Sequence, residues 1–134
     1  QGRYLEEHLI HRTRDHTLVR SKSEVIIANE LNGNGVDYAY ELPFVGHDGT
    51  QRLPDFTIED AATGNLYLWE HLGMMSSPKY RASWERKLKW YALSGVLPVA
   101  DGGGERGSLI ITADDAAGGF DSGAVRELIE AVLL

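Results

Sequence analysis

Hydrophobic and polar residues follow two different periods along the chain, and these periods predict where helices and strands lie. At about 100° per residue, Glu24, Ile27 and Leu31 fall on one stripe, which predicts an amphipathic helix. Ser21 or Ser23 offers its N-cap, and an Asn- and Gly-rich segment ends it. The helix therefore places Glu24 on or beside its apolar face. An alternative role for this glutamate is to complement the helix dipole in the first turn.

Three segments that are typical of β-strands follow this helix. They are predicted at Val36–Val45, Arg52–Asp60 and Asn65–Leu72. Short loops with Gly, Asp and Asn separate them, which favours antiparallel hairpins in meander order. Pro54 suits the start of a strand or an edge position, because proline has no N–H for the ladder.

The remaining part of the chain alternates between helix and strand. A helix is predicted from Pro78 to about Leu93 and a strand over 108–112. A last helix, which Ser122 can cap, is predicted through Leu134. A strand that returns to its sheet through a helix usually pairs in parallel with a right-handed crossover. The predicted fold class is therefore α/β. It has a mixed β-sheet, an antiparallel meander plus a parallel crossover strand, flanked by helices.

Composition indicates one globular domain, 1–134, with 43% hydrophobic and 25% charged residues. Because the sequence begins at Gln1 without an initiator methionine, we expect a domain cut from a longer polypeptide. It has no cysteine, no long apolar run and no signal-peptide pattern, and a cytoplasmic location is predicted. Near the N-terminus, Tyr4, Leu5 and Leu9 fit a short amphipathic helix.

Two carboxylates occur in the predicted strands where apolar residues are the usual choice. Side chains alternate between the two faces of a strand, so Asp55 shares a face with Leu53 and Thr57. Glu70 shares its face with Leu68 on the next strand. Buried carboxylates are expected to be paired, protonated or bound to a cation. Two hard oxygen ligands on adjacent strands suit Mg²⁺, which commonly takes one or two carboxylates.

The helix after Glu70 carries a lysine among its aromatic residues. Relative to Tyr80, Lys87 lies at about −20° and Tyr91 at about 20° around the helix. Lys89 lies near 180° and is expected to face water. Lys87 could extend its ammonium group to the surface while its stem packs. Alternatively, it lies beside the two carboxylates, where it could orient or deprotonate a water and stabilise charge on a phosphate.

These residues resemble the PD-(D/E)XK nuclease superfamily. The resemblance covers about residues 21–112 and includes the element order, the Pro-Asp pair that ends at Asp55, and Glu70 one strand later. It implies a restriction-endonuclease-like αβββαβ core. The family lysine is expected two residues after the second acid, where this sequence has Leu72. Lys87 resembles a lysine that has migrated to the following helix.

The resemblance also implies the role of each site residue. Asp55, Glu70 and the backbone carbonyl of His71 would bind Mg²⁺ or Mn²⁺, and Glu24 would assist. Lys87 would complete the catalytic set by acting on the nucleophile.

The charge of the chain limits how it could bind nucleic acid. A net charge of −7 argues against a general binding surface, because phosphate affinity comes mainly from Lys and Arg. The basic residues nevertheless cluster around the first helix and in the second, although such clusters are also typical of solvated helix faces. The predicted nucleic-acid contacts are Arg20, Lys22, Lys79, Arg81 and Tyr91.

Together these features predict a metal-dependent nuclease domain that hydrolyses phosphodiester bonds of DNA. The segment 69–73 and the aromatic helix after it also resemble nuclease domains attached to superfamily-1 helicases. A fused or partner helicase would then supply most of the nucleic-acid affinity. Three alternatives stay open: a catalytically inactive relative that binds nucleic acid, a protein-interaction module, and a stand-alone structure-specific or restriction-type nuclease.

Overall fold

The computed structural model describes residues 8–134, so Tyr4 and Leu5 of the helix predicted near the N-terminus lie outside the described residues. Leu9, the other residue of that predicted helix, is described and does not lie in a helix. The described residues form two compact units. One contains the chain up to Asp37 together with Asp121–Leu134, and the other is Tyr38–Phe120. Within this described part, no helix has the length and apolar character needed to cross a membrane.

The first unit pairs two helices with a short hairpin. Its elements are β1 (His11–Arg12), β2 (Leu18–Val19), α1 (Lys22–Gly33) and α3 (Ser122–Leu133). β1 and β2 are antiparallel, and α1 packs against both strands and against α3. The buried stripes of the two helices supply the apolar contacts, as the helical period predicts. Their buried apolar residues are Ile27, Ala28, Leu31, Val125 and Ile129.

The second unit is a five-stranded mixed sheet with one helix and a separate hairpin. Its sheet order is β3-β6-β7-β9-β8, in which β7 pairs antiparallel with β6 and parallel with β9. This arrangement confirms the predicted α/β class and the parallel crossover strand. The elements are β3 (Ala39–Tyr40), β4 (Phe44–Val45), β5 (Gln51–Arg52), β6 (Phe56–Glu59), β7 (Leu66–Leu72), α2 (Pro78–Leu93), β8 (Val96–Pro98) and β9 (Gly107–Ala113).

Two of the predicted strands are wrong in their extent. Val36–Val45 is divided into β3 and β4, because Glu41 adopts a left-handed φ of 53° that extended strands do not allow. The segment Arg52–Asp60 is divided at Pro54, which has no N–H to donate to a neighbouring strand. β8 was not predicted. The helix cap predicted at Ser122 lies one residue earlier, at Asp121, whose carboxylate accepts from the backbone.

α2 packs on one face of the sheet and buries most of the apolar residues there. Tyr91 on α2 and Leu68 on β7 are among the fully buried side chains. Each large side chain that is removed from water contributes about 1.5–3 kcal/mol, so this face is a stable base for a site. Glu70 lies on the same face of β7. The buried cluster consists of Phe44, Leu68, Leu72, Trp84, Trp90, Tyr91, Val96 and Leu109.

Candidate active site

Asp55 and Glu70 are neighbours across two antiparallel strands. Phe56 of β6 pairs with Trp69 of β7 at the end of the ladder, and this register, continued by one residue to Asp55 just before β6, would bring Asp55 opposite Glu70. Directly opposite residues of an antiparallel pair project from the same face. Asp55 Oδ2 also accepts a hydrogen bond of 2.7 Å from the backbone N–H of His71. The residue immediately before β6 therefore has its carboxylate held against the β7 backbone.

One oxygen of Glu70 has two partners on α2. The Nζ of Lys87 lies 2.6 Å from Glu70 Oε2, and the hydroxyl of Tyr91 donates to the same oxygen at 2.5 Å. The side chain of Glu70 is 6% exposed and that of Lys87 is 21% exposed. A carboxylate buried to this degree needs both a counter-charge and hydrogen bonds, and α2 supplies them. Lys87 is thus held beside the two carboxylates.

Tyr91 donates a hydrogen bond to Glu70 from the protein core, and its side chain is not exposed to a ligand. Its side chain is fully buried, so the prediction that it contacts nucleic acid is wrong for the described structure. Burial raises the pKa of the Tyr91 hydroxyl, and the negative charges of Glu70 and Asp55 raise it further. The hydroxyl therefore keeps its proton and remains a donor to Glu70. This role was not predicted from the sequence. The helical period shows that Tyr91 and Lys87 lie on the same face of the helix, but it does not show which polar group the Tyr91 hydroxyl contacts.

A third carboxylate, Asp114, lies near the hydroxyl of Tyr80. Burial raises the pKa of Tyr80, and the charges of Asp55, Glu70 and Asp114 contribute to the same shift. The hydroxyl also accepts a long hydrogen bond of 3.4 Å from the N–H of Gly73. Asp114 follows β9 directly, at the edge where the parallel strands β7 and β9 both end. The sequence could have indicated Asp114 as a site residue, because it directly follows a strand and functional polar groups often lie at the carboxyl ends of parallel strands.

His71 reaches this region with its backbone, while its side chain forms a separate network. Its Nδ1 lies 2.9 Å from Thr112 Oγ1, and its Nε2 lies 2.8 Å from Asp114 Oδ1. The ring packs against Phe120 with 4.4 Å between centroids. The backbone N–H of His71 donates to Asp55. In a β-strand the N–H and the C=O of one residue point to the same side of the strand. The His71 carbonyl is therefore directed toward the Asp55 side of β7.

A cavity opens beside Glu70 and Lys87 and has a volume of about 270 Å³. This volume is several times the ~30 Å³ share of one water molecule in the liquid. Arg52, which was not among the predicted site residues, contributes a second cation to the cavity. Its position three residues before Asp55 was an available signal. The cavity is lined by Arg52, Glu70, Tyr80, Ser83, Trp84 and Lys87, among others.

Glu24 lies in the first unit and has a local structural role. Its Oε1 accepts from the backbone N–H groups of Arg20 at 3.0 Å and Ser21 at 3.1 Å. The hydroxyl of Ser21 in turn accepts from the N–H of Glu24 at 3.2 Å, which completes a capping box. This arrangement explains why a buried glutamate starts α1. Its predicted assistance to a metal stays a prediction.

The basic residues predicted to contact nucleic acid differ in exposure. Lys22, Lys79 and Arg81 are exposed, whereas Arg20 is half-buried. Arg81 also stabilises the turn before α2, because its Nη1 donates to the carbonyl of Met75 at 2.6 Å. Contact of these four residues with nucleic acid stays a prediction.

The donor set around Asp55 fits a small divalent cation. Asp55, Glu70 and the carbonyl of His71 offer hard oxygen atoms, and Mg²⁺ typically combines one or two carboxylates with several waters. In residues 8–134, no three or more His, Asp or Glu side chains form a metal-binding group. A metal at this site would therefore depend on the two carboxylates, the backbone carbonyl and water.

Comparison with known proteins gives one partial similarity. No family model matches the chain, and no solved structure matches it. A segment of 63 residues is 38% identical to the "Uncharacterized protein MJ1519" of Methanocaldococcus jannaschii. This segment is 47% of the present chain and 5% of that protein's length. The name of that protein states no activity, so the resemblance to the nuclease superfamily stays a prediction.

Proposed function

We propose that this chain is a metal-dependent nuclease domain that hydrolyses phosphodiester bonds of DNA. The observation that supports this proposal is the arrangement around Glu70. Asp55 lies beside it in the strand register, and Lys87 Nζ lies 2.6 Å from its Oε2. Two carboxylates with an adjacent ammonium group are suited to a reaction in which a metal and a cation both meet a phosphate.

Asp55, Glu70 and the carbonyl of His71 would share one task, which is to hold Mg²⁺ or Mn²⁺. When bound, the metal would lower the pKa of a bound water and offset negative charge on the phosphate.

The contacts of Lys87 favour an electrostatic role for its side chain. A lysine ammonium has three N–H donors, and the contact with Glu70 uses one of them. The other two could donate to phosphate oxygens or orient the attacking water. Tyr91 would keep Glu70 in a fixed orientation through its own hydrogen bond.

We also propose that this domain is attached to, or works with, a helicase. With a net charge of −7, the chain has few cations to bind DNA by itself, so a fused or partner helicase would supply most of the affinity. The relative from Methanocaldococcus jannaschii carries its matched segment within a much longer chain, since that segment is 5% of its length. This observation supports attachment to other domains. We expect the domain to act on DNA in the cytoplasm.

Cleavage of labelled single- and double-stranded DNA with Mn²⁺ tests the proposal. Asp55→Asn and Glu70→Gln should each lose at least about a hundredfold in rate, because each removes a group that acts on the developing charge. Lys87→Met should show a similar loss. Glu85→Gln and Lys89→Met are matched controls, because both residues are exposed on α2.

The results separate the proposal from its alternatives. Equal cleavage by the wild type and all the site variants would overturn the assignment of these residues. DNA binding without cleavage by the wild type would support the catalytically inactive alternative. Absence of both DNA binding and Mn²⁺ binding would support a protein-interaction module.

A further inference from the structure

The hairpin of β4 and β5 is fixed to the end of α2 through one tryptophan. Trp90 Nε1 donates to Asp48 Oδ1 at 3.0 Å and to Thr50 Oγ1 at 3.1 Å, and both acceptors lie in the hairpin turn. Gly46 packs directly on the indole, because a Cβ built at this position would lie 2.0 Å from Trp90 Cζ2. The absence of a side chain at Gly46 therefore allows the hairpin to lie against α2.

This attachment brings Arg52, the last residue of β5, to the cavity that Glu70 and Lys87 also line. The guanidinium carbon of Arg52 lies 5.2 Å from the centroid of the Trp90 ring. Stacking on an indole orients the guanidinium plane and leaves its positive charge unneutralised. In residues 8–134, no carboxylate lies within ion-pair distance of Arg52. Lys87, in contrast, is already paired with Glu70.

We propose that Arg52 binds a phosphate of the DNA backbone in this cavity, next to the phosphate that Lys87 and the carboxylates act on. This inference rests on the proposed function and adds a residue that positions the substrate. Guanidinium groups suit phosphate because two parallel N–H groups can meet two phosphate oxygens. A phosphate would also supply the counter-charge that the described residues do not give Arg52.

DNA binding by the whole chain, measured by fluorescence anisotropy at low salt with Ca²⁺ in place of Mg²⁺, tests the inference. Arg52→Gln should weaken the binding of a labelled oligonucleotide about tenfold, as expected for the loss of a hydrogen bond to a charged group. It should also reduce the slope of log Kd against log salt concentration by about 1, the change expected for one phosphate contact. Arg52→Lys should fall between the wild type and Arg52→Gln, because it keeps the charge without the paired donors.

Arg106 provides a matched control. Its guanidinium carbon lies 4.5 Å from the centroid of the Phe44 ring, so it is also an arginine stacked on an aromatic residue. Its Nη1 contacts the carbonyl of Ser94 at 3.5 Å, and it is not among the residues that line the cavity. Arg106→Gln removes the same charge and should change DNA affinity by no more than about twofold.

Three results would overturn the inference. One is an equal loss of affinity in Arg52→Gln and Arg106→Gln, which would indicate an effect of net charge alone. The second is wild-type affinity and salt dependence in both Arg52 variants, and the third is no measurable binding by the wild type. Failure of the proposed function is distinguishable, because it would appear as Arg52-dependent DNA binding without Mn²⁺-dependent cleavage. Circular dichroism of each variant verifies that the fold is retained.

Discussion

The Nζ of Lys87 and the Oε2 of Glu70 lie 2.6 Å apart, and both side chains are largely removed from water. The two residues come from different elements, a strand in the sheet and the helix that packs on it. Tyr91, one helical turn after Lys87, donates to the same carboxylate oxygen. The charge of Glu70 is therefore balanced from α2, and any change on this helix face should affect the stability of the sheet as well as the site.

Removal of the lysine should leave a buried carboxylate without its counter-ion. We expect Lys87→Met to lower the free energy of unfolding by about 2 kcal/mol, less than the 3–5 kcal/mol of a fully buried pair because Lys87 is partly exposed. Urea denaturation measures this change. Lys89→Met on the solvent side of α2 should stay within about 0.5 kcal/mol. The double variant Glu70→Gln with Lys87→Met should recover part of the loss, and a simple sum of two losses would contradict the pairing.

The hydroxyl of Tyr91 should contribute separately from its ring. Tyr91→Phe keeps the buried ring and removes the donor to Glu70, and should cost about 1–2 kcal/mol in unfolding free energy. Because the pKa of Tyr91 is raised, the hydroxyl keeps its proton, and the cost should be constant from about pH 6 to 9. Denaturation at several pH values measures it. Tyr67→Phe on β7 is the control, and equal effects of the two changes would argue against a special role for Tyr91.

The sequence predicted the parts of the fold that depend on local patterns. The bounds of α2 follow from a proline in its first turn and a serine and glycine after its end, and the structure has Pro78–Leu93. The parallel pairing of β7 with β9 follows from the crossover rule. The helical period also indicated that Lys87 faces the sheet. These features depend on residues close together in the chain.

Other features depend on contacts between distant segments, and the sequence did not predict them. The antiparallel pairing around residues 46–50 was predicted, but the separation of the β4–β5 hairpin from the five-stranded sheet was not, because Glu41 takes a left-handed φ that its residue type does not signal. The importance of Arg52 depends on Trp90, which lies on a helix far along the chain. Complementing the helix dipole was the predicted alternative for Glu24, but its hydrogen bonds in a capping box were not predicted, because apolar periodicity does not show which backbone groups a side chain meets. Tyr91 was predicted to share the helix face of Lys87 and to contact nucleic acid, whereas its buried hydroxyl donates to Glu70.

Docking of the hairpin on α2 should depend on the absence of a side chain at Gly46. Gly46→Ala would place a methyl group against the indole of Trp90, where a Cβ has only 2.0 Å of space. We expect a loss of about 1–3 kcal/mol, as for other overpacked sites, and a change in tryptophan fluorescence. Gly33→Ala is the matched control, because nothing lies within 4 Å of its Cβ position and its φ is not positive. Thermal melting that is unchanged in Gly46→Ala would show that the hairpin is not held in this way.

Docking of the β4–β5 hairpin on α2 should weaken at low pH. Hydrogen bonds from Thr50 and then from Trp90 lower the pKa of Asp48 below its ordinary value. A lowered pKa in the folded state means that ionised Asp48 stabilises the fold above the ordinary aspartate pKa of about 3.9, and that this contribution is lost as the pH falls through the lowered value. Asp48→Asn should therefore be less stable than the wild type at neutral pH, and the difference should shrink below about pH 4. Urea denaturation across this range measures it, with the exposed Asp101→Asn as the control; a constant difference would contradict the mechanism.

The side chain and the backbone of His71 should have separable effects. The ring bonds to Thr112 and Asp114, whereas the proposed metal ligand is the backbone carbonyl, which every substitution retains. His71→Leu should therefore cost about 1–3 kcal/mol in unfolding free energy, since it leaves two polar partners without the imidazole. Its Mn²⁺ affinity, measured by calorimetry, should fall by no more than about 10–100-fold, as expected for a group that only supports a ligand. Asp55→Asn should show the opposite result, with weak Mn²⁺ binding and a smaller change in stability. If His71→Leu loses Mn²⁺ as completely as Asp55→Asn, the imidazole itself is part of the metal site, and the carbonyl assignment is wrong.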